Sequence, residues 1–213
     1  NANVGAFMLS PMATEIELQT VKWLAELVGY NPTCGGLFVS GGNMANFTGL
    51  LAARNHQIKR NIRQVGLPAE FITPPELPRG VYLPSHTQPH ERRSYTIYCS
   101  HETHTWVYKA ADLFGFGTNA IRSVACNRNQ QMDVTELHKQ IRNDTKSGHV
   151  PFMVIGNAGT VATGVVDPLD EIAQICREEN LWFHVDGAYG APAAALPEQN
   201  DVFKGLDQAD SIA

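Results

Sequence analysis

At 213 residues with 43% hydrophobic side chains the chain is long enough to bury a sizeable core, and one domain is the default at this length. A formal charge of -5 and a pI near 5.9 leave no electrostatic footprint for nucleic acid, and no apolar run is long enough to span a bilayer. Cys34, Cys99, Cys126 and Cys176 stand far apart with no C-x-x-C pair, which points to neither a metal site nor a disulfide framework and fits a reducing, cytoplasmic setting.

Residues 11–28 carry Ile16, Leu18, Val21, Trp23, Leu24 and Leu27 at helical spacings, with Thr14 as a cap and Gly29 as a stop. An apolar, strand-like stretch over 36–39 then runs into Ser40-Gly41-Gly42-Asn43-Met44-Ala45-Asn46 and a helix to about residue 63, with Phe47, Leu50, Leu51 and Ile58 on its apolar face. The first turn of that helix falls near Gly42 and Asn43, where free backbone N–H groups and the positive dipole end favour an anion, a phosphate above all. A P-loop needs Lys and Ser or Thr after the second Gly; Asn43-Met44 stand there instead, which argues against a nucleoside triphosphate. A Gly-rich turn with no ligand is the alternative for this segment.

Residues 66–93 hold Pro68, Pro74, Pro75, Pro78, Pro84 and Pro89, half of the 12 prolines, and are expected as a surface excursion because prolines remove backbone donors. Beyond it strands and helices alternate: strand 95–99, helix to 114, strand 121–125, helix 134–145, strand 152–156, helix 168–179, strand 181–185 and a last strand near 210–213. Runs such as Phe152-Met153-Val154-Ile155 are apolar throughout, as strands buried on both faces are. The pattern predicts an α/β fold of three layers, a mostly parallel sheet with helices on both faces. Asp133 and Asp167 read as ordinary helix caps. His101 reads as a cap or surface side chain. His104, placed in the first turn of the helix after the 95–99 strand, can lie flat against an aromatic ring and exchange protons.

Asp186 carries the most information. It ends the apolar run Leu181-Trp182-Phe183-His184-Val185, and Gly187 and Ala188 follow at once, which leaves room for a flat ligand beside the acid. A turn-capping Asp is the competing reading for this residue alone.

Phosphate cradle, His104 and strand-end Asp186, in that chain order, resemble the pyridoxal-phosphate enzymes of the aspartate aminotransferase fold (fold type I), and among them the group II amino-acid decarboxylases. The likeness rests on Ser10-Pro11-Met12-Ala13-Thr14-Glu15-Ile16-Glu17, Ser40 to Asn46, Ser100 to His104, Gly156-Asn157-Ala158-Gly159-Thr160, and His184-Val185-Asp186-Gly187-Ala188-Tyr189. The resemblance implies an N-terminal segment and helix over 1–30 and a large cofactor-binding domain over 31–213. It implies pyridoxal 5'-phosphate as cofactor, with Gly42, Asn43 and Ser211 on the phosphate, His104 stacked on the ring, and Ala188 on the opposite face. Asn157 would sit near the ring's phenolic oxygen or its nitrogen-side substituents. Asp186 would pair with the ring nitrogen and keep it protonated, with His104 and Asp186 as the catalytic pair.

The family's cofactor-binding lysine follows a His-containing motif a few residues beyond the strand represented by Ala209-Asp210-Ser211-Ile212-Ala213. None of Lys22, Lys59, Lys109, Lys139, Lys146 and Lys204 stands in such a motif, so the sequence is expected to be a fragment that is inactive alone. Asn3, Gly5 and Phe7 match the substrate-pocket loop, often of the neighbouring subunit, which implies a homodimer with shared active sites. Lacking Arg or Lys, that loop favours an aromatic or uncharged amino acid over glutamate. A carbon–carbon lyase or transaminase would use the same cradle, His and Asp, and a catalytically silent cofactor-binding protein is the non-enzyme alternative.

Overall fold

Among the described residues five strands form one wholly parallel sheet: β1 (Tyr95–Ser100), β2 (Ile121–Val124), β3 (Val150–Asn157), β4 (Trp182–Asp186) and β5 (Ser211–Ile212), in the spatial order β2-β1-β3-β4-β5. The computed structural model describes residues 6–58, 62–67 and 94–213. Its helices are α1 (Pro11–Leu27), α2 (Gly42–Gln57), α3 (Ile62–Val65), α4 (Trp106–Leu113), α5 (Val134–Lys146) and α6 (Leu169–Glu179). The expected three-layer α/β architecture is what forms.

Parallel strands must be joined by crossovers, and each crossover helix buries one apolar stripe on the sheet. Leu137 and Ile141 of α5 and Leu169, Ile172, Ala173 and Cys176 of α6 cover one face, against Tyr98, Val154, Phe183 and Val185. Phe47, Leu50 and Ala53 of α2 and Trp106, Val107 and Ala110 of α4 cover the other, against Ile97, Cys99, Met153 and Ile155. From β1 the chain steps to β2 on one side and then returns to β3 on the other. The crossovers therefore part at the carboxyl ends of β1 and β3, the switch point where open α/β sheets bind ligands.

Several local expectations change. Residues 36–39 pair with no strand among the described residues; Leu37 and Phe38 stay 58% and 53% exposed, and the Phe38 N–H donates to Glu17 Oε1 at 2.7 Å. α1 opens at Pro11, whose missing N–H costs nothing at the first helical position, and Thr14 bonds back to the Ser10 carbonyl instead of capping. α2 ends at Gln57, with α3 a separate short turn. The proline-rich stretch over 68–93 lies outside the described residues. Asp133 does cap α5, accepting from the N–H groups of Thr135 and Glu136 at 2.9 and 3.1 Å. Asp167 caps nothing: it is buried, and it accepts from Met132 N at 2.7 Å and Asn157 N at 2.8 Å.

Candidate active site

α2 starts where the backbone turns through Gly41 at φ +115°, a conformation that side-chain-bearing residues rarely adopt. No side chain caps this helix, so the N–H groups of its first turn, at Gly42 and Asn43, face outward without a helical partner. A β-carbon on Gly42 would stand 3.5 Å from Ala188 Cβ, so the absent side chain keeps open the gap between the turn and the segment after β4.

β4 delivers the acid to that gap. Alternation along the strand sends Phe183 and Val185 to the α6 face and Trp182, His184 and Asp186 to the α2 and α4 face. Asp186 Oδ2 accepts from the Trp106 indole N–H at 2.7 Å, and Oδ1 takes a longer contact from Ala188 N at 3.3 Å. Beneath it His184 is fully buried, with Nε2 2.8 Å from Asn46 Oδ1 and Nδ1 2.8 Å from Ser211 Oγ.

Every proton in this chain of contacts has one consistent place. Asn46 Nδ2 donates to the Gly42 carbonyl at 3.0 Å, so Asn46 Oδ1 is the acceptor and His184 carries its hydrogen on Nε2. Trp182 Nε1 donates to Ser211 Oγ at 2.8 Å, which frees the Ser211 hydroxyl hydrogen for His184 Nδ1. Burial pushes the His184 pKa down to about 4 against the opposing pull of Asp186, so the ring is neutral. The relay ties β5, β4 and the start of α2 into one unit.

His104 precedes α4 rather than sitting in its first turn; its Nδ1 accepts from the Trp106 backbone N–H at 3.2 Å, which in the neutral ring leaves the hydrogen on Nε2. Asn157, at the end of β3 and directly opposite Asp186 in register, has Nδ2 within 3.1 Å of Ser100 Oγ, Thr103 Oγ1 and Asp167 Oδ2. Burial raises the Asp167 pKa, while the three N–H groups from Met132 and Asn157 pull it back.

These segments enclose an open cleft of about 570 Å³ lined by Gly42, Asn43, His104, Asn157, Asp186 and Ala188. Ser211 is not among its lining residues; register opposite His184 places its hydroxyl in the relay with His184 and Trp182. Phe7 lies in a short 3-10 helix, 53% exposed, and is not among the residues lining the cleft of its own chain. Asn3 and Gly5 lie outside the described residues. Trp106, His184, Asp167 and Lys109, the last also lining the cleft, are site residues that motif reading passed over. For His184 a signal was present, since residues two apart on a strand share a face and Asp186 was already placed.

Residues 86–213 match the pyridoxal-dependent decarboxylase conserved domain. The chain belongs to this family. Among its relatives, the aromatic-L-amino-acid decarboxylase of Bacillus atrophaeus is 33% identical over 97% of this chain and 37% of its own length. The cysteine sulfinic acid decarboxylase of Rattus norvegicus is 30% identical over 100% of this chain and 38% of its own. The crystal structure of mouse CSAD in apo form superposes with a TM-score of 0.83 at 29% identity, covering 100% of this chain and 40% of that one. The chain thus spans well under half the length of these relatives. Family members are pyridoxal-dependent lyases of amino-acid metabolism, and the cofactor is pyridoxal phosphate. The residues present fit it: an uncapped helix start for an anion, a side-chain-free gap at Gly42, and a carboxylate beside the gap for a ring nitrogen.

Proposed function

We propose that this chain is the cofactor-binding part of a decarboxylase that converts an aromatic or otherwise uncharged L-amino acid to its amine and carbon dioxide. The observation that carries the reading is the Asp186 carboxylate, set in the cleft between the start of α2 and His104. When bound, pyridoxal phosphate supplies a sink for the electron pair left on Cα as the carboxylate departs.

The chain's own residues do the rest. The N–H groups of Gly42 and Asn43, at the positive end of the α2 dipole, bind the phosphate. Asp186 Oδ1 holds the proton at the ring nitrogen. Ala188 and His104, both in the cleft lining, would hold the ring on its two faces, and His104 Nε2 would hold or return a proton. Asn157, its amide nitrogen engaged by Ser100, Thr103 and Asp167, would sit near the ring's phenolic oxygen or its nitrogen-side substituents. Residues 31–213 make up the large domain and 1–30 the N-terminal segment.

Exposed Met8, Met12, Ile16 and Trp23 near the N-terminus support a homodimer with Asn3, Gly5 and Phe7 reaching a shared site, and four free cysteines support a cytoplasmic setting. Lys109 favours a second reading, a substrate with a distal anion such as the cysteine sulfinic acid relative's, because it puts a cation in the cleft lining. A panel of L-amino acids given to the full-length protein, followed as carbon dioxide release, separates the two. Turnover of aromatic substrates is expected; a clear preference for glutamate, aspartate or cysteine sulfinate overturns the first reading in favour of the second.

A further inference from the structure

Trp106 makes two contacts that converge on the cleft. Its backbone N–H reaches His104 Nδ1 at 3.2 Å, and its indole N–H reaches Asp186 Oδ2 at 2.7 Å. An indole has one N–H and no acceptor, so this bond has one direction, and a charged acceptor makes it one of the stronger kinds. The ring has no freedom to release the acid: it is fully buried and meets the His184 ring edge-on at 5.8 Å and 82°. His184 in turn is pinned by Asn46 and Ser211.

Asp186 is thereby made asymmetric. Oδ2 is committed to Trp106, while Oδ1 has only a long contact from Ala188 N and keeps a lone pair for the cleft. A carboxylate free to rotate would present either oxygen and lose orientational entropy on each binding event. We propose that Trp106 is a positioning residue for the cofactor, fixing the carboxylate plane of Asp186 so that Oδ1 faces the ring nitrogen. This inference rests on the pyridoxal-phosphate reading of the cleft. It separates the two arms of Trp106: the indole arm is open to substitution, while the backbone arm that orients His104 survives any side chain except proline.

The test measures the equilibrium dissociation constant of pyridoxal phosphate from the full-length protein, together with its melting temperature. Trp106→benzothienylalanine replaces the N–H by sulfur at nearly constant shape and is expected to leave the melting temperature in place. Its dissociation constant is expected to rise about tenfold, or about 1.4 kcal/mol. Trp106→Phe loses the same bond plus packing, and is expected to weaken binding and lower the melting temperature together. In an Asp186→Ala background the sulfur isostere is expected to change affinity by less than about twofold, because its only route to the cofactor is gone. Unchanged affinity of the isostere with Asp186 present, or an equal loss in both backgrounds, overturns the inference and leaves the cofactor reading standing. Failure of the unsubstituted protein to bind pyridoxal phosphate overturns both.

Discussion

On the face under α5 and α6, β4 contributes Phe183 and Val185 to a cluster of Leu137, Ile141, Leu169 and Ile172 that is apolar throughout at this strand. On the face under α2 and α4 the same strand contributes Trp182, His184 and Asp186, and each ends in a polar atom with a named partner. The first face is held by area, which is non-directional and accepts any apolar shape that fills the space. On the second, the β4 side chains are held by directed bonds within the apolar cover of α2 and α4, where one missing partner strands another group at a cost of about 1–3 kcal/mol. Stability and binding are thus carried by opposite sides of one strand, and substitutions should separate them.

The largest effect is expected from Phe183→Ala, which opens a cavity on the apolar face and costs about 3–5 kcal/mol in denaturant unfolding. Cofactor affinity of the protein that remains folded should not change, since Phe183 points to the α6 face and is not among the residues that line the cleft. His184→Leu comes next: Asn46 Oδ1 and the Ser211 hydroxyl lose their partner, for about 3 kcal/mol. Here pyridoxal phosphate affinity should fall as well, because Asn46 no longer ties the Gly42 turn to β4. Equal affinity losses in these two variants would erase the contrast between the faces.

Acid should act through the directed face. His184 has its pKa lowered from 6.5 to about 4 by burial, so on acidification the unfolded chain takes the proton first. The unfolded state then binds more protons than the folded one, and stability falls as pH drops through 6.5 toward 4, by about 2 kcal/mol between about pH 7 and 5. Melting curves across that range should show the slope, and His184→Gln should remove it; a slope that survives belongs to another group. The smallest effect is expected from Asp133→Ala, which removes the α5 cap for about 1 kcal/mol and leaves binding alone, as a melting scan with and without cofactor would register.

The apolar face was legible because its signal is local. Val154, Phe183 and Val185 within their apolar runs and the α6 stripe declare themselves by composition and period, and the strands of the sheet fall within a residue or two of where they are expected. The directed face was legible only where a motif reaches it, at Gly42, Asn43, His104 and Asp186. Asp167 looked like a cap because the partners that bury it, Met132 and Asn157, lie 35 and 10 residues away in sequence. The place of Ser211 in the relay was not legible, because its direction depends on register with β4, which composition does not encode. Residues 36–39 misled in the other sense: an apolar run asks for cover, and nothing in it says whether a sheet provides it.

The alternation of β4 also sets what kinds of change the strand can survive. Loops after β1, β3 and β4 can lengthen or shorten and alter the cleft by degrees. Deleting or inserting one residue within Trp182–Asp186 has no graded outcome, since every later side chain changes sides: the carboxylate would turn into the hydrocarbon beneath α6, and valine into the mouth of the cleft. Divergence at this strand is therefore confined to substitution at constant length, and chimeras between relatives can be joined on either side of it but not inside.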